Sequence, residues 1–397
     1  MWWQDLRPEI YIAIILLSII ILLFIEAIRH RTALAKIPIR IHVNGTRGKS
    51  SVTRLIAAGL RAGGLITSAK TTGTLARFIY PDGTEDDIYR MGHTNIAEQI
   101  KIVKKAADLN SQALVIECMS LHPLLQSICE LKLVRSTHGV LTNARPDHLE
   151  IMGPLENDVA LALAGTIPIR GKYFISEKKH LNIFNKAVAD RNSQLFHVDQ
   201  KAIDAITDEE IKKFPYEEFK ENVALALSVC ASLNIDRDVA LTGMWASTPD
   251  PGAMSIYALH YHDHHIIFAN GFAANDPVST EILWNGLIER HTDCDESTLI
   301  VNCRSDRHDR SAQLGGAISN WHPANKILTI GSGTKTFLSS LNRKKWPNVI
   351  NGEGWDVNQI LNNLTENNQP KKHFVFGVGN IAGIGLKFVD YFQANKE

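Results

Sequence analysis

The feature that most constrains the fold is the junction at residues 41–51, where a β-rich run (40–43) meets a helix-period run (51–62) through Gly45-Thr46-Arg47-Gly48-Lys49-Ser50-Ser51. Glycines at a strand-to-helix turn let several backbone N–H groups converge on one point, and the helix N-terminus adds positive potential there. Lys49 is long enough to reach outer phosphates, and the Ser50 hydroxyl suits Mg2+. The turn therefore reads as a loop for ATP, held by Gly45, Thr46, Arg47, Gly48, Lys49, Ser50 and Ser51. The generic form of this loop would carry glycine at position 43, where this chain has Val43.

A loop of this kind belongs at the carboxyl edge of a doubly wound sheet, and the pattern beyond it agrees. Short β-rich runs at 40–43, 113–116, 139–141 and 173–175 alternate with helix-period segments at 51–62, 96–108 and 157–163. Residues 245–253 gather Pro249, Pro251, Gly252 and small polar residues, as a linker does. After it a hairpin (255–268) leads into a second alternating series, with strands at 298–302, 326–330 and 373–378. The expected class is α/β, with a mostly parallel central sheet and a smaller α/β C-terminal domain. The expected domains are 1–38, 39–248 and 249–397.

Before the loop, residues 10–25 are apolar except for Tyr11 and Ser18, close to the ~20 residues a bilayer demands. Trp2, Trp3 and Arg29 could anchor the ends. Arg29, Arg31, Lys36 and Arg40 follow the run, whereas Arg7 alone precedes it, beside Asp5 and Glu9. That asymmetry predicts a single-pass transmembrane helix in the inner (cytoplasmic) membrane, with everything after it in the cytoplasm. A cleaved signal peptide, cut near Ala33 and Ala35, is the competing reading. It fits less well because the basic cluster follows the apolar run.

Among 397 residues, 42 Lys and Arg balance 42 Asp and Glu, so no overall field draws the chain to nucleic acid. Anions must be held by local clusters. Cys118, Cys129, Cys230, Cys294 and Cys303 are odd in number and form no Cys-x-x-Cys pair, against both a disulfide framework and a zinc site.

Two further motifs fall at predicted strand ends. Glu117 closes a buried run, where an ionised carboxylate needs a partner; either Mg2+ and ATP or a nearby Lys or Arg would serve. The next strand ends in Thr142-Asn143-Ala144-Arg145-Pro146-Asp147-His148-Leu149-Glu150. This stretch resembles the Thr-Asn-x-x-x-Asp-His-Leu-Asp signature of the Mur ligase superfamily, and Gly-Thr-x-Gly-Lys-Ser is the loop those ligases and folylpolyglutamate synthases use. The resemblance assigns His148 to a second metal ion, with Asn143 and Asp147 shaping the site. Metal ligation would then fall to Ser50, Glu117 and His148, and catalysis to Lys49, His148 and Glu117.

Asn222, near the start of an Ala- and Leu-rich helix, resembles the residue beside the adenine, although such a helix is equally a core element. Residues 267–277 resemble the segment that opens the C-terminal domain, with Asn270 where an acid is usual. Asn302, Arg304, Asp306 and Arg307 resemble a stretch of the CapB/PgsB poly-γ-glutamate synthase ligases in particular. Arg304, Arg307 and Arg310 could clamp an acidic chain or a phosphate, or simply form a solvated charged loop. The run His260-Tyr261-His262-Asp263-His264-His265 reads as a wet hairpin tip, and Gly377-Val378-Gly379 through Gly383 as close helix packing or a substrate loop.

The resemblance runs from about Ile39 to the C-terminus. It implies an ATP-dependent ligase that activates a glutamate carboxylate as an acyl phosphate and adds glutamate to a poly-γ-glutamate chain. CapC-like and CapA-like membrane proteins are the implied partners, and a homo-oligomer is left open. One departure stands out: residues 160–166 contain no lysine where many Mur ligases carry a carbamylated one. The membrane helix and the loop alone would also fit a kinase or ATPase of capsule export, or a nucleotide-sensing scaffold.

Overall fold

The structure, a computed structural model, describes residues 8–73, 76–90, 94–216, 218–249, 254–272, 277–366 and 371–396. Trp2, Trp3, Asp5 and Arg7, residues 250–253 of the linker stretch and residues 273–276 lie outside the described residues. The chain forms two compact units, the first ending at Thr248 and the second containing Pro249–Glu397 together with Pro215–Glu217.

In the first unit β1 (Ile39–Asn44) lies between two parallel neighbours, β5 (Ala113–Glu117) and β6 (His138–Leu141). Ile41, Val43, Val115 and Ile116 are fully buried, because parallel strands are covered on both faces and read as continuous apolar runs. β7 (Lys172–Ile175) and β8 (Gln194–His197) extend the sheet in parallel beyond β6. On the other side β2 (Thr67–Thr71) pairs with β5, and a short antiparallel hairpin, β3 (Arg77–Ile79) and β4 (Glu85–Asp87), closes the edge. The order β4-β3-β2-β5-β1-β6-β7-β8 puts the switch in winding direction at β1, where doubly wound sheets hold their ligands.

Register makes this edge level: Val43 pairs with Glu117 and Asn44 with Leu141. The helix α2 (Lys49–Ala62) buries every residue from Val52 to Leu60. Small residues permit that depth. A Cβ on Gly59 would stand 2.8 Å from Cys230 Sγ, and one on Gly243 would stand 2.5 Å from the Ala58 carbonyl oxygen.

Sequence periodicity also gave no sign of a buried ion pair beneath β1. His42 and Glu130, 0% and 1% exposed, meet at 2.8 Å. The Ser136 N–H and hydroxyl donate to the other Glu130 oxygen at 2.8 and 2.9 Å. Burial pulls the His42 pKa down, but Cys118, Cys129 and Glu130 outweigh it and hold the imidazole well above its ordinary value.

The N-terminal helix α1 (Pro8–Lys36) has one apolar stretch, from Ile10 on, long enough to cross a membrane. Its large apolar side chains from Ile10 to Ile28 are exposed, whereas Ala33, Leu34 and Ile37 are buried against α3 (Glu98–Asp108). His30 Nε2 donates to the Leu133 carbonyl at 2.9 Å, and Arg40 donates to the carbonyls of Leu34 and Ile37.

The second unit is a six-stranded sheet of β9 (Ile256–Tyr261), β10 (His264–Asn270), β11 (Glu296–Cys303), β12 (Lys326–Gly331), β13 (Val349–Glu353) and β14 (Lys372–Gly379). Its order is β13-β12-β11-β14-β10-β9, all parallel except the β9–β10 hairpin. Trp284, Trp321 and Phe374 sit in one apolar core cluster and Phe268, Phe388 and Phe392 in another. The histidine run is not a wet tip throughout. His262 makes the turn at φ 51°, but His264 is 5% exposed and its Nδ1 lies 2.9 Å from His373 Nε2. Strand alternation sends His264 inward onto β14.

Replacing Glu130 by Ala strands a buried imidazolium and two donors of Ser136. We expect a loss of about 3–5 kcal/mol in denaturant unfolding of the detergent-solubilised chain. The sign with pH follows from the raised folded-state pKa. The contribution is full below the unfolded histidine value of ~6.5 and is lost as pH climbs through the folded one.

Candidate active site

The phosphate loop starts where β1 ends. Gly45 has φ +137° and Gly48 +78°, both in the region that only glycine enters freely. Space demands glycine as well: a Cβ on Gly45 would lie 2.1 Å from Thr142 Oγ1, and one on Gly48 would lie 2.9 Å from Asn222 Oδ1. Gly48 caps α2, so Lys49, Ser50 and Ser51 form the helix's first turn.

The loop is held by the chain that leaves β6. The Thr142 N–H donates to the Asn44 carbonyl at 3.0 Å, and the Thr142 hydroxyl donates to the Arg47 carbonyl at 2.5 Å. Asn143 grips the loop in three ways: its Oδ1 accepts from the Thr46 hydroxyl (2.6 Å) and the Arg47 N–H (3.1 Å), and its Nδ2 donates to the Arg47 carbonyl (3.1 Å). Asp147 pairs with Arg47 at 3.4 Å. Asn143 and Asp147 thus shape the site by fixing the loop itself.

Glu117, 2% exposed at the end of β5, accepts from the Ser50 hydroxyl at 2.8 Å and the Thr72 N–H at 2.7 Å. A hydroxyl and a carboxylate are hard oxygen donors, and their contact beside a phosphate loop suits a divalent ion bound with phosphates. Lys49 Nζ turns back onto the loop carbonyls of Gly45 (2.8 Å) and Thr46 (3.5 Å). His148 sits at φ +48° with its ring 30% exposed, 3.9 Å from Asp147 and 3.2 Å from Glu150. It is joined to the loop through Asp147 and Arg47, and no contact ties it directly to Ser50 or Glu117. Asn222, at the start of the helix Lys220–Ala231, packs its amide over Gly48 and donates to Glu218 at 2.8 Å. Its contact is with the phosphate end of the loop.

Lys70, on β2, escaped the sequence reading. It is fully buried, and its ammonium meets Glu98 at 2.8 Å. Glu98 also accepts two bonds from Arg90, at 2.6 and 3.0 Å. Burial lowers the Lys70 pKa, against the pull of Glu98 and Glu117. Burial raises the Glu98 carboxyl, but Arg90 and Lys70 outweigh it and leave it below its usual range. The available signal was a lysine inside an apolar strand two residues before Thr72, which touches Glu117.

In the second unit Asn270 is 1% exposed at the end of β10, and its Oδ1 accepts from the Phe272 N–H at 3.3 Å. The carboxyl ends of the parallel strands surround a cleft of about 580 Å3 lined by Arg304, Ser332, Asp356, Gly383 and Lys387. Of the three arginines only Arg304 lines it, and it is paired with Asp306 at 2.9 and 2.7 Å. Arg307 precedes and Arg310 lies within the helix His308–Ile318. The three are therefore not one fork around one anion. Gly377 is explained by packing, since a Cβ there would stand 2.7 Å from the Phe272 ring, whereas Gly383 borders the cleft.

A doubly wound sheet with this short loop, bound to a Thr-Asn…Asp-His turn on the adjacent strand, defines the Mur ligase type of nucleotide-binding protein. Residues 43–243 match the Mur ligase middle domain, and residues 256–395 match the poly-gamma-glutamate synthase CapB C-terminal domain. The chain is 38% identical over 369 residues to the capsule biosynthesis protein CapB of Bacillus anthracis, covering 91% of this chain and 78% of that protein. It is 34% identical over 382 residues to the PGA synthase CapB of Bacillus subtilis, covering 95% and 96%. This chain belongs to the poly-γ-glutamate synthase CapB family of Mur ligases. Among solved structures it shares its fold with the bifunctional folylpolyglutamate synthase/dihydrofolate synthase of Yersinia pestis, complexed with AMPPNP and a Mn ion. The TM-score is 0.68 at 14% identity, over 93% of this chain and 91% of that one.

Asn143→Ala removes three bonds to the loop without opening the core. At about 1 kcal/mol per bond, we expect the melting temperature to fall by several degrees and ATP affinity to fall by roughly 10- to 100-fold. Isothermal titration with ATP checks it.

Proposed function

We propose that this chain is an ATP-dependent amide ligase that builds poly-γ-glutamate. Family membership supports the reaction, and one observation carries the site: Ser50 and Glu117 touch beside a glycine loop that residues 142–147 hold open. The first unit is read as the ATP domain and the second as the domain that receives the amino acid.

A carboxylate oxygen is a poor leaving group. Its attack on the γ-phosphorus of ATP expels ADP and leaves an acyl phosphate; the amine of an incoming glutamate then attacks the carbonyl carbon, loses a proton and expels phosphate. The N–H groups at the start of α2, from Gly48 to Ser50, and the Lys49 ammonium would hold the triphosphate and oppose the charge that gathers on the transferred group. Ser50 and Glu117 would hold Mg2+, which when bound neutralises phosphate charge, and His148, at the loop's far side, would hold a second metal ion. Asn222 lies where it can touch the nucleotide, and Asn270 would stand in for the usual acid of the C-terminal domain. Arg304, in the cleft of the second unit, would meet a glutamate carboxylate, with Arg307 and Arg310 behind it.

The helix from Ile10 would anchor the chain in the cytoplasmic membrane, with Arg29, Arg31 and Lys36 on the cytoplasmic side. Tethered synthesis suits a polymer passed to membrane partners of the CapC and CapA kind.

In membranes carrying the assembled complex, Lys49→Ala and His148→Ala should each reduce glutamate-dependent ADP release by at least ~100-fold. Full turnover in both would overturn the assignment. Arg304→Ala should raise the KM for glutamate by roughly 10-fold or more while leaving the KM for ATP unchanged, as read from initial rates at varied glutamate.

A further inference from the structure

At the foot of α1 is a second cavity, of about 390 Å3, that the ligase chemistry does not use. Leu23 and Ala27 of the apolar helix line its one side, and Ile100, Leu131 and Leu133 continue that apolar wall on the catalytic body. Its rim carries Arg31, Lys132 and Arg135 against a single acid, Glu26. None of the three cations makes an ion pair with a carboxylate among the described residues. Three exposed cations thus gather around one apolar slot, outnumbering Glu26, the acid that lines it.

His30 also lines the cavity; it is 8% exposed, and its Nε2 donates to the Leu133 carbonyl, which ties the foot of α1 to the body. The helix is fixed here by Arg40 and by the burial of Ala33, Leu34 and Ile37, so the cavity is built into the joint between anchor and body.

Height along the helix identifies the ligand. From Ile10 to Ile28 an α-helix rises about 28 Å, close to the thickness of a hydrocarbon core. Arg31 and the cavity then fall at the headgroup layer, on the side where the basic residues lie.

We propose that this cavity binds one anionic glycerophospholipid. Its phosphate sits among Arg31, Lys132 and Arg135, and an acyl chain runs along Leu23 and Ala27. The proposal rests on the membrane-anchor reading. The chemistry is that of a phosphate ester, which a free phosphate shares; the acyl-lined wall selects the lipid. Such a lipid would fix the tilt of the catalytic body on the membrane surface.

The test uses the full chain in a neutral detergent, titrated with phosphatidylglycerol or phosphatidylcholine and followed by native mass spectrometry. We expect one phosphatidylglycerol per chain, held about 10-fold more tightly than phosphatidylcholine and not displaced by excess inorganic phosphate. The double variant Lys132→Gln with Arg135→Gln should lose that preference. Ala27→Trp, which fills the apolar wall and leaves every charge in place, should weaken both lipids. Equal affinity for the two lipids, an unaltered preference in the charge variant, unaltered binding in Ala27→Trp, or displacement by phosphate would each overturn the proposal. Alkaline carbonate extraction of cell membranes tests the anchor separately. A chain that stays in the pellet but shows no lipid preference sinks only the lipid site, and a chain released to the supernatant sinks both.

Discussion

Backbone N–H groups can converge on a phosphate only if the loop carrying them is held in a strained, glycine-dependent shape before the phosphate arrives. Here the restraint comes from the neighbouring strand. Thr142 and Asn143 occupy the Arg47 carbonyl, the Arg47 N–H and the Thr46 hydroxyl of the loop, and the Val43–Glu117 register brings the carboxylate level with Ser50. Both contacts require β1 to lie between β5 and β6 in parallel. The sheet order is thus the precondition for the site, and the buried His42–Glu130 pair ties β1, through its own His42, to the Cys129–Val134 turn.

Much of this was legible in the sequence. Strand-to-helix alternation marked seven of the strands to within a residue or two, because parallel strands buried on both faces are apolar throughout. The strands β2, β3, β4, β8 and β13 were not read from the sequence; in β4, Glu85, Asp86 and Asp87 follow no apolar alternation and pair only at a sheet edge. The loop and Glu117 were readable from residue type and spacing. Lys70, Glu98 and Arg90 were not, because their mutual contacts join a strand, a helix and a connecting segment far apart in sequence. Pattern left the three arginines after β11 as a clamp or a solvated charged loop, and the structure separates them: Arg304 borders the cleft, Arg307 precedes the next helix and Arg310 lies within it.

Charge around the nucleotide site has a particular balance. The lysine that many Mur ligases place on the helix after the Asp-His turn is missing from Glu156–Ala164. On the opposite side of β5, Lys70 and Arg90 share Glu98 and leave one positive charge in excess near Glu117. A buried cation there counters the Glu117 carboxylate without making a direct bond to it.

The central claim is that ATP is spent on making an acyl phosphate from a carboxylate. Following oxygen tests it most directly: glutamate chains labelled with 18O in the terminal carboxylate are elongated by the complex, and the released phosphate is analysed by mass spectrometry. One 18O is expected in inorganic phosphate for each amide formed. Unlabelled phosphate, or label appearing in AMP, would contradict it.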